Sequence, residues 1–263
     1  MKLPTRIVEK VWGRRDLPQP FANPGAEPVG EIWFEPPQEL PQVLVKYLFT
    51  SEKLSVQVHP SDAQAPAGER GKEECWLVLD AEPGATLAIG FKDAIPREAM
   101  RAAALDGSIE GALEWHPVRA GDFFYLPAGT VHAIGPGLTL VEVQQNSDIT
   151  YRLYDYGRPR ELHLDEGLAV ARGEPYPAGC RRKVSDDESV TLVDGPHFRF
   201  SQCQGAPSAE LCRRHGGAVL ALPLEGSVRI GGEAIGPGEC GLAASIGEAD
   251  FALARRTLLV SAA

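Results

Sequence analysis

The sequence predicts a mainly β protein built as two barrel halves with a small helical insertion. Three observations carry this expectation. The 263 residues include 28 glycines and 22 prolines, about a fifth of the chain against an average of about 12%, and the glycines have no three-residue period. Short apolar runs alternate with polar residues and end in turn-forming clusters, the pattern of half-buried strands. The second half also echoes the first. WLVLDAEPGATLAIG (Trp76–Gly90) returns as VLALPLEGSVRIGG (Val219–Gly232), and GDFFYLPAGTVHAI (Gly121–Ile134) as GECGLAASIGEADF (Gly238–Phe251). The echo keeps the apolar rhythm and the glycines but loses the proline and the histidine, so chemistry is expected in the first half alone.

Strands are expected at Val43–Phe49, Leu54–His59, Cys75–Leu79, Thr86–Ile89, Asp122–Leu126 and Leu138–Gln144. Arg97–Leu113 is the exception. It is rich in Ala, Leu and Glu and follows a proline, which suits a helical insertion over residues 97–113 broken at Asp106–Gly107. Leu164–Arg172 is a second, weaker helix candidate. Gly173–Glu188 is charged and turn-rich. The expected organisation is therefore a catalytic half over residues 1–172, a linker over 173–188 and a degenerate β half over 189–263.

With 26 Lys and Arg against 36 Asp and Glu, the formal charge is −10. That balance argues against nucleic acid as a partner, because phosphate-backbone binding needs a basic face. No run reaches the ~18 apolar residues of a membrane span. The start MKLPTRIVEKVWGRRD lacks the apolar core of a signal peptide, so a soluble, cytoplasmic protein without a membrane partner is expected. The five cysteines are odd in number, scattered and without a CxxC, and read as reduced thiols.

Chemistry concentrates in three segments. In LSVQVHP, Ser55, Gln57 and His59 share one strand face while Leu54, Val56 and Val58 take the other. GKEECWLVL aligns Lys72, Glu74 and Trp76 at the head of an apolar strand, where a glutamate is disfavoured unless paired or ligating. Gly121-x5-Pro127-x-Gly129-x2-His132 uses a Pro–Gly turn to deliver a histidine into the next strand. This last spacing matches the second signature motif of the cupin barrels, whose histidine ligates a metal. The first cupin motif is altered here, with Gln57-Val58-His59 in place of the usual His-x-His and the glutamate following after an insertion, at Glu74. Gln57, His59, Glu74 and His132 supply two imidazoles, a carboxylate and an amide oxygen. That set suits Zn²⁺ with open positions, and Fe²⁺ or Mn²⁺ remain compatible with it.

QVHP (Gln57–Pro60), GKEECW (Gly71–Trp76), PAGTVHAI (Pro127–Ile134) and VEVQQNSDITYRLYDYGR (Val141–Arg158) together resemble type I mannose-6-phosphate isomerase in its short bacterial form. The resemblance covers residues 5–172, with Val11–Gly13 and Gly30–Trp33 also similar, and the rest fits as the degenerate second cupin half. It implies a jelly-roll-like fold, one zinc per chain on Gln57, His59, Glu74 and His132, and the interconversion of mannose 6-phosphate and fructose 6-phosphate. It further implies that Lys72 and Arg152 line the substrate site, with Glu142 nearby and Ser55 on the same polar row. Three positions depart from the family. Glu73 stands where a threonine is usual, the asparagine that ends the second cupin motif is absent, and RLYDYGR (Arg152–Arg158) replaces a glycine-rich stretch ending in lysine. Arg158 is the candidate to replace that lysine's charge.

Isomerisation needs a proton shuttled between C1 and C2 of an open-chain sugar through a cis-enediol. Lys72 and Glu142 are rival candidates for that transfer, and Arg152 suits phosphate or enediolate oxygens. His116, His163, His197 and His215 have no partner at ligand spacing and are expected to be structural or exposed. Trp33 and Trp76 are expected in the core. The alternative function is a metal cupin that binds a sugar or sugar phosphate without turnover or with different chemistry. Both a monomer and a homodimer are compatible with the sequence.

Overall fold

A computed structural model describes all residues from 1 to 263. The first half contributes β1 (Thr5–Arg14), β2 (Val29–Phe34), β3 (Val43–Thr50), β4 (Val56–Val58), β5 (Glu74–Ala81), β6 (Thr86–Phe91), α1 (Arg97–Asp106), α2 (Ile109–Ala112), β7 (Leu113–Pro117), β8 (Asp122–Leu126), β9 (His132–Ile134), β10 (Leu138–Gln145), β11 (Tyr151–Tyr154) and α3 (Leu164–Val170). After β12 (Arg181–Lys183), the second half adds β13 (Val190–Asp194), β14 (Phe198–Gln204), α4 (Ala209–Arg214), β15 (Val219–Gly226), β16 (Val228–Ile230), β17 (Glu233–Ile235), β18 (Gly241–Ala243), β19 (Ala249–Asp250) and β20 (Ala254–Ala262). No helix is long and apolar enough to cross a membrane.

Two sheets form the first barrel, in the orders β1-β2-β3-β10-β5-β8-β12 and β11-β4-β9-β6-β7. The second half repeats the plan. Its larger sheet runs β13-β14-β20-β15-β18, so β20 sits between β14 and β15 as β10 sits between β3 and β5. β16 pairs with β19 as β6 pairs with β9. The internal echo in the sequence is thus a repeated topology. The helical insertion is where it is expected, and Gly107 in the left-handed region (φ 84°) separates its two helices.

The central strands of the first barrel are buried on both faces, which is why they read as continuous apolar runs. Alternation assigns the two faces. Val43, Val45, Tyr47 and Phe49 of β3, Cys75 and Leu77 of β5, and Val141 and Val143 of β10 point outward. There they join Phe198, Phe200, Leu220, Leu222, Leu258 and Val260 of the second half in one core of 24 residues. The opposite faces look into the first barrel. The second barrel's own interior is closed by Val219, Ala221, Val228, Ile230, Phe251 and Leu259.

Residues 173–188 are less of a tether than their composition suggests. Arg181–Lys183 pair with Phe124–Asp122 and extend the first barrel's sheet, and the Tyr176 hydroxyl donates to the carbonyls of Tyr125 and Cys180. All five cysteines are free thiols, with Cys75, Cys203 and Cys240 buried.

Candidate active site

Strand register assembles the site from two facing rows. On the larger sheet Glu142 of β10 pairs with Lys46 of β3 on one side and with Trp76 of β5 on the other. Gln144 pairs in the same way with Glu74. On the smaller sheet Gln57 of β4 lies between Arg152 of β11 and His132 of β9. Between the rows lies a cavity of about 380 Å³ walled by Ser55, Gln57, Lys72, Glu142 and Arg152, with Lys46, Asp148, Thr150 and Arg160. That volume is within the range of small-molecule sites.

Against the cavity-lining Gln57 and Lys72, His59, Glu74 and His132 converge, all buried, with one potential ligand atom each within 4.8 Å of the others. His59 Nδ1 donates to the Ile149 carbonyl at 2.8 Å and His132 Nδ1 to the Thr130 carbonyl at 2.9 Å. These bonds turn both Nε2 lone pairs toward the centre, the arrangement that orients metal-binding imidazoles. Nε2 of His59 is 3.5 Å from Glu74 Oε2, and Nε2 of His132 is 3.4 Å from Oε1. His132 reaches this point through the tight turn at Gly129 (φ +85°), where an added Cβ would meet the Val170 carbonyl at 2.8 Å.

Electrostatics keep the two imidazoles in ligating form. Burial, with the Lys72 charge, holds His59 well below the ordinary histidine range. Burial brings His132 down to about 4 against the opposing hydrogen bond to Thr130. Both rings are therefore neutral at pH 7. Burial pushes Glu74 up to about 7, opposed by Lys72. Lys72 Nζ stands 3.2 Å from Glu74 Oε2 and 3.2 Å from His59 Nε2. Oε2 of Glu74 thus has the Lys72 ion pair, whereas Oε1 accepts no hydrogen bond. A buried carboxylate left in this way is costly, and a cation between the three donors satisfies it. The residues present fit a metal.

Gln57 completes the set by position. Its Nε2 is 3.2 Å from His132 Nε2, and its Oε1 accepts from the Ser55 hydroxyl at 3.2 Å. Glu142 is held from both sides, with Lys46 Nζ 2.7 Å from Oε1 and Trp76 Nε1–H donating to Oε2 at 3.0 Å. Burial favours the neutral form of each partner, but the pair's attraction outweighs it. Glu142 stays below the usual carboxylate range and Lys46 above the usual ammonium range. Arg152 donates from one guanidinium nitrogen to the Glu161 carbonyl at 2.7 Å, and its Nε has no partner.

No family model matches the chain. It is 40% identical over 198 residues to mannose-6-phosphate isomerase of Streptococcus mutans, covering 72% of this chain and 62% of that protein. It is 36% identical over 208 residues to a mannose-6-phosphate isomerase of Bacillus subtilis, covering 74% and 65%. The chain is similar in sequence to mannose-6-phosphate isomerases. The matched region is thus a little under two thirds of the length of these relatives. In fold, the crystal structure of the Bacillus subtilis mannose 6-phosphate isomerase superposes with a TM-score of 0.79 at 23% identity, covering 99% of this chain and 98% of that one. A mutant of phosphomannose isomerase from Salmonella typhimurium does so with 0.73 at 17% identity, covering 99% and 98%.

Within this framework Gln57, His59, Glu74, His132, Lys72, Glu142, Ser55 and Arg152 meet in one place. Arg158 is elsewhere. Its guanidinium donates to Asp155 at 2.7 Å and to the Lys53 carbonyl at 2.8 Å, off the cavity wall. Arg160, also bound to buried Asp155 (2.5 and 2.6 Å), lines the cavity instead. Trp76 is fully buried as expected. Trp33 is only half-buried and lines the cavity, between the Arg6 guanidinium at 4.2 Å and Lys46 Nζ at 4.9 Å. Lys46 was not singled out by the sequence motifs. Its one signal there is a charge in the middle of the apolar run VLVKYLF.

Proposed function

We propose that the chain is a zinc-dependent aldose–ketose isomerase that interconverts mannose 6-phosphate and fructose 6-phosphate. The observation that carries this is a buried His59–Glu74–His132 donor set in contact with Gln57 and Lys72 of a cavity also walled by Lys46, Arg152 and Glu142. A donor set alone would suit many metal cupins. With cations and an anchored carboxylate around it, the site matches an anionic sugar whose carbonyl-side proton must move.

His59, Glu74 and His132 would hold the metal, and a half-turn of the Gln57 amide brings its oxygen to the same centre. Bound there, zinc supplies a Lewis acid that stabilises negative charge developing on the sugar's oxygens. The remaining work belongs to side chains. Both oxygens of Glu142 are already engaged by Lys46 and Trp76, so Glu142 acts as a fixed negative charge. Lys72 lines the cavity, and its partners are the donor atoms of His59 and Glu74. We assign it the proton transfer between C1 and C2 through the cis-enediol. Arg152, with Arg160 behind it, binds the phosphate or the enediolate oxygens, for which a guanidinium fork is suited.

The test is fructose 6-phosphate formation from mannose 6-phosphate before and after chelation, alongside metal analysis. Turnover lost on chelation and restored by Zn²⁺ is expected. A protein that holds metal yet isomerises nothing would overturn the enzyme reading and favour a binding cupin. Lys72→Met should keep metal and lower kcat by about 10² to 10⁴, the usual worth of a positioned acid or base.

A further inference from the structure

One side chain of the second half reaches the loop that presents Lys72 and Glu74. This loop leaves the barrel after His59 and re-enters it at Glu74, so its ends lie at the donor centre. Its neck is closed from within. The Lys72 N–H donates to the Pro60 carbonyl at 2.9 Å, and the Gly71 N–H donates to Asp62 Oδ1 at 2.7 Å. The approach at Gly71 is so close that an added Cβ would lie 2.4 Å from Asp62 N. Gln145 ties both sides together. Its Nε2 donates to Asp62 Oδ1 at 3.0 Å, its Oε1 accepts from the Glu73 N–H at 2.9 Å, and its own N–H donates to the Glu73 carbonyl at 3.0 Å. The Tyr125 hydroxyl donates to the Glu73 carboxylate.

His197 sits over this neck. It lies in the turn between β13 and β14, so it belongs to the second half. Its Nδ1 is 3.6 Å from Asp62 Oδ2 and its Nε2 is 3.9 Å from Glu73 Oε1. The two nitrogens of one ring thus face carboxylates from the two ends of one loop. Glu73 is the residue that departs from the family's usual threonine, and a threonine there would offer His197 no charge.

We propose that His197 is a positioning residue that locks the neck of the 60–73 loop across the junction of the halves, and so sets where Lys72 and Glu74 stand. The inference rests on reading His59, Glu74 and His132 as metal donors, and not on which sugar the site takes. It gives the degenerate half a part in catalysis without chemistry of its own.

The test compares the full-length wild type with His197→Ala and His197→Gln. Amide hydrogen exchange of residues 60–73 is read in the metal-free chain, Zn²⁺ affinity by titration, and kcat and KM separately. His197→Ala should speed exchange at Gly71, Lys72 and Glu73, weaken Zn²⁺ binding and lower kcat, each by about 10-fold, the low end for residues that orient metal donors. KM and the global melting temperature should be nearly unchanged. His197→Gln, which still offers a hydrogen-bond donor, should recover part of each loss. Exchange and Zn²⁺ affinity in His197→Ala equal to wild type would overturn the inference. So would a uniform fall in stability with KM and kcat affected alike. If the wild type does not turn over mannose 6-phosphate, the isomerase assignment fails, while exchange and Zn²⁺ titration still decide the role of His197.

Discussion

Lys46 and Glu142 are the least expected residues to find inside a barrel, and they are the ones its strand register brings face to face. Two charges buried together carry a large desolvation cost that only their mutual attraction offsets, and removing one partner strands the other. Lys46→Met should therefore destabilise the fold by about 3–5 kcal/mol, read from the denaturant midpoint. Lys46→Met combined with Glu142→Gln should recover most of that stability and none of the turnover. His132→Ala should lose the metal, whereas Arg152→Ala should keep it and lose turnover, so metal content separates a donor from a substrate contact. Metal lost in both variants would make Arg152 structural. At this scale the three candidate donors were legible for different reasons: His59 continues the polar row of Ser55 and Gln57, Glu74 stands at the head of an apolar strand, and His132 follows a Pro–Gly turn at motif spacing. Among the arginines the sequence singled out Arg152 and Arg158, but it is Arg160, which it did not single out, that joins Arg152 on the cavity wall. Which of Arg158 and Arg160 faces the cavity depends on Asp155, a buried carboxylate that claims both, and sequence spacing says nothing about that choice.

The strands themselves were easier to read, because alternation is a property of the chain and not of its partners. Parity alone puts Lys72, Glu74 and Trp76 on one face and Ser55, Gln57 and His59 on another. A register slip of one residue would turn every one of these side chains away. The PAGTVH turn is equally local, since Gly129 must take a positive φ for His132 to enter β9. Gly129→Ala should cost about 1–3 kcal/mol, as residues forced into rare backbone regions do, and should weaken metal binding through displacement of His132. Strand β12 was not legible: RRK has no apolar alternation and is exposed, so only its pairing with β8 makes it a strand. A pH effect belongs here too. His215 follows α4 and is fully buried, with its ring nitrogens at 2.8 and 2.9 Å from the hydroxyls of Ser261 on β20 and Ser201 on β14. Burial, aided by Arg199 and Arg214, lowers its pKa to about 4. The unfolded chain then binds a proton that the folded one refuses, so stability falls as pH drops from about 6.5 toward 4. Each pH unit within that window costs about 1.4 kcal/mol. Denaturant melts at pH 7 and pH 5 should show a shallower pH dependence in His215→Gln than in wild type.

At the scale of the whole molecule, the excess of glycine and proline resolves into the turns of two barrels, and the net charge of −10 conceals a cavity lined by Arg6, Lys10, Lys46, Lys72, Arg152 and Arg160 against Glu31, Glu142 and Asp148. What composition could not show is how far the halves depend on each other. A turn-rich linker between two β patterns suggests two units that could be parted. The packing says otherwise, because the outward faces of β3, β5 and β10 are covered by β14, β15 and β20 in a single core. Cutting the chain after residue 188 would expose Val43, Val45, Tyr47, Phe49, Leu77, Val141 and Val143 together. At roughly 1.5–3 kcal/mol for each large apolar side chain uncovered, the loss is comparable to the whole stability of a typical domain, about 5–15 kcal/mol. Residues 1–188 alone should therefore fail to reach a cooperative fold, showing exposed apolar surface by dye binding and no stoichiometric metal. The intact chain should unfold in one transition, coincident by circular dichroism, tryptophan fluorescence and metal release. A truncated chain that folds and binds metal would show that the second barrel is an appendage. Failure of the truncated chain would mean that residues 1–188 have no complete core without the second barrel.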